Sequence, residues 1–404
     1  MADFYQHARL PTLHHLATPD AAEREAELVR LTQDRPVALL LPALSTEMTR
    51  PALPGILRQV ATVPYISRVV LSMNGTQDAA LIRRSLSTCQ EWLAGKPLTL
   101  LWNDGPALDA VHARISPRHV HGKGANIWMG LAWLHAAGHR GIIVSHDTDI
   151  LNYGPSLLAK LCYPVAHPRL GYRFAKGYYS RVAGRLYGRV TRLLIFPLIQ
   201  AFADVLGPMP LLEHLESFRY PLSGEFAGDS ATLGQFSLPS AWGLEVATLC
   251  EAHRQLRVAE MCQVDLGFHY EHRHRQLEPG SIEPGLVSAA ADVARCLAWQ
   301  VLREAQERAA ESLLRLVLER YKALAGEWMD RYEHVALLNG LAYDRAEEAL
   351  AVTAFTEALA DIVKNAQQGS LPTPGLRPAP AKAIDASADL RAEILAAAAE
   401  TDAP

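Results

Sequence analysis

Apolar residues fall along this chain in short unbroken runs, separated by stretches with helical spacing. "PVALLLPAL" (36–44) is apolar without a helical period, as a strand buried on both faces requires. "SRVVLSMNGT" (67–76) repeats the pattern and stops at the turn-forming pair Asn74-Gly75. "PLTLLWND" (97–104) and "GIIVSHDTD" (141–149) complete a set of four strands. The stretches 19–33, 78–95 and 124–138 are spaced as helices, the second closed by Gly95. The interval between the first two strands leaves room for another crossover helix. This alternation predicts an α/β domain with a parallel sheet and right-handed crossovers. Ligands of such sheets bind beyond the carboxyl ends of the strands. Residues 42–47, 72–76, 103–104 and 147–149 are therefore the ones to watch.

Beyond residue 150 the alternation fades. "RLGYRFAKGYYSR" (169–181) reads as a further strand, and "LLIFPLIQAFADVL" (193–206), interrupted by Pro197, as a buried helix. "RYPLSGEFAGDSATLGQF" (219–236) is rich in glycine and polar residues, and 242–256 is an apolar helix carrying Glu245. Residues 258–277 run from a strand into a histidine-rich loop. The divisions expected are a helical extension over 1–35, an α/β domain over 36–280 with its halves meeting at 150, a helical region over 284–366, and a flexible Pro/Ala-rich tail over 367–404.

Composition narrows the partners. A formal net charge of −4 leaves no electrostatic footprint for nucleic acid. The five cysteines are odd in number and form no CxxC pair, which predicts reduced thiols in a cytoplasmic protein. No stretch approaches the roughly 20 apolar residues that span a bilayer, and the N-terminus has no run of signal-peptide type.

The candidate chemistry begins with Asp147 and Asp149. Residues i and i+2 of a strand face one side, so both carboxylates can project together beyond the sheet. Paired carboxylates raise each other's pKa unless a cation lies near, and Mg²⁺ or Mn²⁺ suits oxygen ligands that also meet phosphate. The same tripeptide elsewhere only caps a helix. Lys123, between Gly122 and Gly124 at a helix entry, suits a diphosphate, the glycines letting the backbone approach a ligand. "HGKGAN" is not a Walker A loop. Arg189 and Thr191 offer an anion-binding fork. Glu225 and Glu245 are acids in apolar or glycine-rich company, where a buried carboxylate needs a partner. His272 could ligate a metal or be a solvated loop residue.

In their order, "LPAL", "GKG", "DTD", "GRVT", "PLSGE", "WGLEV", "QVDLG" and "HRHR" resemble the retaining GT-A glycosyltransferases that make glucosyl-3-phosphoglycerate. The resemblance spans roughly residues 36–278. It implies a GT-A fold, Rossmann-like with a mostly parallel sheet, here with a C-terminal helical appendage. Residues 36–150 become the nucleotide-sugar half and 151–280 the acceptor half. It implies UDP-glucose as donor, 3-phosphoglycerate as acceptor, Mg²⁺ or Mn²⁺ as cofactor, and a homodimer. Pro42, Ala43 and Leu44 would line the uracil and ribose pocket, with Thr46, Glu47 and Asn74 at neighbouring donor positions. Lys123 would meet the diphosphate, Asp147 the ribose and Glu245 the sugar hydroxyls. Asp149 and His272 would hold the metal, with His269 the alternative ligand. Gly188, Arg189 and Thr191 would hold the acceptor, and Glu225 would lend polarity there. Asp149, Lys123 and Glu225 are the implied catalytic side chains.

Two departures touch nucleotide recognition. Thr46 stands where the family pattern has an acid, with Glu47 next to it, and "SMNGT" replaces the usual serine and aspartate cluster. Residues 284–404 exceed the family's usual end. Related enzymes use GDP-mannose or the acceptor glycerate. A sugar-phosphate nucleotidyltransferase is a further reading, although "LPALSTEMTR" lacks the glycine-rich signature expected of one. A non-catalytic nucleotide-sugar-binding scaffold is another.

Overall fold

The computed structural model describes residues 6, 8–17, 20–116, 121–267, 284–306, 310–370 and 373–402. Eight strands form one sheet in the order β1-β8-β6-β7-β5-β2-β3-β4. They are β1 (Thr12–Leu13), β2 (Val37–Leu44), β3 (Ile66–Asn74), β4 (Leu98–Trp102), β5 (Ile142–Ser145), β6 (Phe174–Tyr178), β7 (Phe226–Asp229) and β8 (Met261–Asp265). Both faces are covered. Leu39 and Leu41 of β2 pack into one core, Ala38 and Leu40 into the other. That double burial is why the strand reads as a continuous apolar run.

The helices joining the first five strands are α1 (Ala21–Leu31), α2 (Ala52–Ala61), α3 (Ala79–Trp92), α4 (Pro106–Ile115) and α5 (Lys123–Ala136). Asp20 and Asp78 cap α1 and α3 by accepting backbone N–H bonds. Further along lie α6 (Pro155–Ala166), α7 (Phe196–Leu206), α8 (Pro210–Glu216), α9 (Ser230–Leu233) and α10 (Leu244–Gln255). Pro197 sits in the first turn of α7, after a π-helical turn over Val190–Ile195, so it starts that helix rather than interrupting it.

The sheet is mixed, not wholly parallel: β7 runs antiparallel to both β5 and β6. Ser145 at the end of β5 pairs with Phe226 at the start of β7. The reversal therefore brings Glu225, just before β7, to the edge where Asp147 lies. A parallel β7 would have put Glu225 at the opposite edge.

The expected helical region comprises α11 (Pro284–Ala305), α12 (Ala310–Leu338) and α13 (Arg345–Gln367). They share one continuous apolar core with α5 and α7. Within α11, Gly285–Ala305 is long and apolar enough to cross a membrane by length and composition, contrary to the sequence reading, and half of it is buried within the fold. The flexible tail is also corrected. Its described residues include α14 (Pro380–Asp385) and α15 (Ala388–Asp402), which pack on α5 and on β4. Pro380 occupies the first turn of α14, and Ile384, Leu390 and Ile394 are buried. Proline and alanine here start and fill short helices instead of loosening the chain. The N-terminal extension is likewise more than a helix, since β1 pairs in parallel with β8.

Candidate active site

Lys123 opens α5, following Gly122 in extended backbone. A Cβ at Gly124 would stand 2.1 Å from the Pro239 carbonyl oxygen, and one at Gly122 would stand 2.7 Å from that of Ser240. The two glycines thus seat the helix start against the 239–241 loop, not against a ligand as the sequence suggested. The seat aims Lys123 across the sheet edge. Its Nζ lies 2.6 Å from Asp147 Oδ1 and 2.9 Å from Glu245 Oε1. Glu245 belongs to the first turn of α10 and is nearly buried. Glu225 is wholly buried, and its Oε1 accepts from the Asp147 backbone N–H at 3.4 Å.

A second lysine, not singled out from the sequence, completes this group. Lys176 of β6 is buried and donates from Nζ to the Ser223 carbonyl. Burial lowers its pKa to about 8, against the pull of Glu245 and Glu225. Burial acts on Lys123 in the same direction, but Asp147 and Glu245 outweigh it and hold the ammonium well above its ordinary value. Lys123 is therefore a fixed positive charge at the head of a 14-residue helix whose free N–H groups also favour anions.

Asp147 and Asp149 lie just past the end of β5, with His146 and Thr148 buried between and beside them. They face different cations. Asp147 pairs with Lys123, whereas Asp149 belongs to the field of Arg181. Burial would lower the Arg181 pKa, but Tyr220, Tyr179 and Asp149 raise it. Arg181 also donates to the Tyr220 hydroxyl at 3.5 Å. Among the described residues no group of three or more His, Cys, Asp or Glu side chains is placed to hold a metal. His272 and His269 lie outside the described residues.

The expected donor wall forms the ends of β2 and β3. The Pro42 carbonyl accepts from Thr148 Oγ1 at 3.1 Å. Asn126 of α5, buried and overlooked in the sequence, donates to Asn74 Oδ1 at 2.9 Å and to the Ala43 carbonyl at 3.3 Å. Leu44 and Thr46 are exposed, while Glu47 is buried and paired with Arg50. Next to Asn74 opens a cleft of about 580 Å³ lined by Gly75, Thr76, Gln77, Asp104, Asp109 and His121. Asp104 accepts from the Thr76 N–H at 2.9 Å, and His121 stands 2.7 Å from Asp104 and 3.1 Å from Asp109. Asp104 was legible as a strand-end residue; His121 had no signal of its own.

The expected acceptor residues lie where the chain enters the π-helical turn over Val190–Ile195. Gly188 takes a positive φ of 77°, and Thr191 is buried in the π-helical turn. Arg189 donates from Nε to Glu348 at 2.8 Å and pairs through Nη2 with Glu347; Arg192 also pairs with Glu348, at 2.9 Å. The helical region thus does more than pack. The start of α13 holds the guanidinium expected to meet the acceptor.

No family model matches the chain. Two solved structures share its architecture. Glucosyl-3-phosphoglycerate synthase from Mycobacterium tuberculosis, in complex with phosphoglyceric acid, superposes with a TM-score of 0.53 at 23% identity, over 72% of this chain and 88% of that one. Mannosyl-3-phosphoglycerate synthase from Rubrobacter xylanophilus gives 0.53 at 21% identity, over 71% and 85%. The mostly parallel sheet, with charged side chains gathered beyond β5, is a fold of the GT-A type. Relatives in sequence are nearer. Glucosyl-3-phosphoglycerate synthase from Persephonella marina is 35% identical over 89% of both chains, and that from Methanococcoides burtonii is 31% identical over 97% of this chain and 96% of its own. The chain belongs to the glucosyl-3-phosphoglycerate synthase family. The second match runs nearly the whole length, so residues 284–404 do not exceed the family as the sequence reading held.

Proposed function

We propose that this protein transfers glucose from UDP-glucose to the hydroxyl of 3-phosphoglycerate, releasing UDP, with retention at the anomeric carbon. The observation that carries the reading is Lys123, held between Asp147 and Glu245 at the start of α5. A permanent cation and a helix N-terminus together stabilise a departing diphosphate. Relatives named for this reaction support it, and the M. tuberculosis enzyme has been solved with Mn²⁺, UDP and phosphoglyceric acid.

The residues divide the work. Pro42, Ala43, Leu44 and Asn74 border the nucleoside, with Thr46 and Glu47 on the same turn. Asp147 and Glu245 present carboxylate oxygens to ribose and glucose hydroxyls. Gly188, Arg189 and Thr191 orient the acceptor; orientation of this kind supplies several kcal/mol of the barrier reduction. Glu225 adds negative charge beneath Asp147. The acceptor hydroxyl attacks on the face that the diphosphate leaves, and its proton passes to the departing phosphate oxygen. That route needs no covalent nucleophile from the protein.

Asp149 fits a hard cation. Its carboxylate oxygens, just past the end of β5, are the donor type such an ion takes. Asp149 and His272 would hold Mg²⁺ or Mn²⁺, which when bound supplies Lewis-acid stabilisation of the leaving diphosphate. The reading includes a cytoplasmic homodimer. Five free, buried cysteines suit a reducing compartment, and sedimentation tests the dimer.

The deciding experiment incubates the protein with Mg²⁺ and UDP-glucose or GDP-mannose, with and without 3-phosphoglycerate or glycerate, and measures nucleoside diphosphate release. Release of UDP only when 3-phosphoglycerate is present is the expected result. Release from GDP-mannose alone would reassign the donor. Binding without release would favour a scaffold. Asp149→Ala is expected to abolish turnover in a protein that remains folded.

A further inference from the structure

The buried Arg377 has no part in the chemistry above, yet it bonds to Ser240, which packs against the start of α5. It is 1% exposed, and among the described residues its guanidinium meets Ser240, His112 and the face of the Trp128 ring, not a carboxylate. Burying an unpaired guanidinium is costly, and an apolar side chain of similar volume would fill the space at less expense. Packing alone therefore gives no reason for arginine.

Its hydrogen bonds do. Nε donates to Ser240 Oγ at 2.7 Å, and Nη1 lies 2.8 Å from His112 Nδ1. A guanidinium can only donate, so His112 Nδ1 accepts and its Nε2–H donates to Asn103 Oδ1 at 2.9 Å. Asn103 Nδ2 donates in turn to Ser72 Oγ at 2.9 Å and to the Met73 carbonyl at 3.1 Å. One branch thus ends on β3, next to Asn74. The other ends on Ser240, whose carbonyl accepts from Ala125 N–H at 3.0 Å and fills the space beside Gly122. Backbone bonds set the arginine in place: Arg377 N–H donates to the Leu238 carbonyl at 2.9 Å, and Trp128 Nε1 donates to that of Pro378 at 2.7 Å.

We propose that Arg377 is a positioning residue for transfer: through Ser240 and the His112–Asn103 relay it holds the Gly122–Lys123 turn and the end of β3 at the spacing that UDP-glucose requires. The segment after α13 is then part of the donor site. This inference rests on the donor reading given under Proposed function. Arginine rather than lysine is used because one planar fork reaches both branches at once.

The test compares Arg377→Met, Arg377→Lys and Ser240→Ala with the wild-type protein. It measures UDP binding by calorimetry, KM for UDP-glucose, KM for 3-phosphoglycerate, kcat and Tm. Arg377→Met removes a buried charge but leaves the buried Ser240 Oγ and His112 Nδ1 without their donor, so its Tm is expected to fall modestly. Its UDP affinity should fall about tenfold and its KM for UDP-glucose should rise to match, a loss of one hydrogen-bonded contact in scale. KM for 3-phosphoglycerate should stay within about twofold. Arg377→Lys should recover part of the loss. Ser240→Ala, which deletes one hydroxyl, should shift the donor constants in the same direction and keeps the test valid if Arg377→Met does not fold. Donor constants within about twofold of wild type in the folded variants would overturn the positioning role, whatever their Tm. Wild-type protein that neither binds UDP nor releases it from UDP-glucose would overturn the donor reading and this inference together.

Discussion

The Asp147 carboxylate occupies the space that a side chain on Gly224 would need: a Cβ there would stand 2.4 Å from both of its oxygens. Gly224 is required for room, since its φ is not in the positive range. Gly224→Ala is expected to push Asp147 off Lys123 and lower kcat/KM by about 100-fold, the scale of an ångström misplacement in an active site. The turn before β7, closed by the Ser223 N–H on the Tyr220 carbonyl, should survive, so Tm should change little. Steady-state kinetics beside a thermal melt checks both halves.

Lys123 supplies the charge that this arrangement protects. Lys123→Met should reduce kcat by about 10²–10³, as loss of one preorganised donor does. It also leaves Asp147 and Glu245 facing each other without their shared cation. Raising the UDP-glucose concentration should not restore the rate. A variant whose defect disappears at saturating donor would show that Lys123 serves binding alone.

The acceptor residues yield a prediction about the helical region. Glu348 is buried and holds both Arg189 and Arg192. Glu348→Gln keeps the shape and removes the charge, leaving two guanidinium groups less firmly aimed. KM for 3-phosphoglycerate is expected to rise about tenfold, the equivalent of one charge-assisted hydrogen bond. KM for UDP-glucose should not change. Equal effects on both substrates would place Glu348 in general packing.

Stability should depend on pH through two buried histidines. Burial brings the His146 pKa down to about 3, with Asp147 opposing; burial and His253 bring His214 to about 3, with its bond to the Leu249 carbonyl opposing. The folded protein keeps both rings neutral, while the unfolded chain binds protons below about pH 6.5. Stability is thus complete above about pH 6.5 and is lost as pH falls towards the folded values, by about 1.4 kcal/mol per pH unit for each ring. Urea midpoints near pH 7 and about pH 5 should show the loss. His214→Gln, which can still donate to Leu249, should lessen it.

The first half of the fold was legible because β2 and β3 are buried on both faces and leave unbroken apolar runs. Four of the polar residues read as chemistry, Lys123, Asp147, Glu225 and Glu245, meet in space although they come from four segments. That Glu225 joins the other three could not be read from spacing, because it depends on β7 running backwards. That strand has four residues, "FAGD", too few to show a period or a direction. Lys176, Asn126, Arg181 and Arg377 were missed for a common reason. A lone polar residue in apolar company looks like a solvent-facing position, and only its partners reveal burial. The tail misled in the opposite way, since proline and alanine signal looseness by composition yet begin and fill α14. His272 lies outside the described residues, so its place beside Asp149 is carried by the resemblance.

One consequence concerns how the chain is made. β4 forms one margin of the sheet, and α15 lies against it. The ribosome releases that margin long before it releases its cover. Throughout the interval a nascent chain carries an open row of amide and carbonyl groups, able to recruit a strand from a neighbouring molecule. Shortened versions ending before residue 388 should keep that adhesive margin permanently and collect in inclusion bodies.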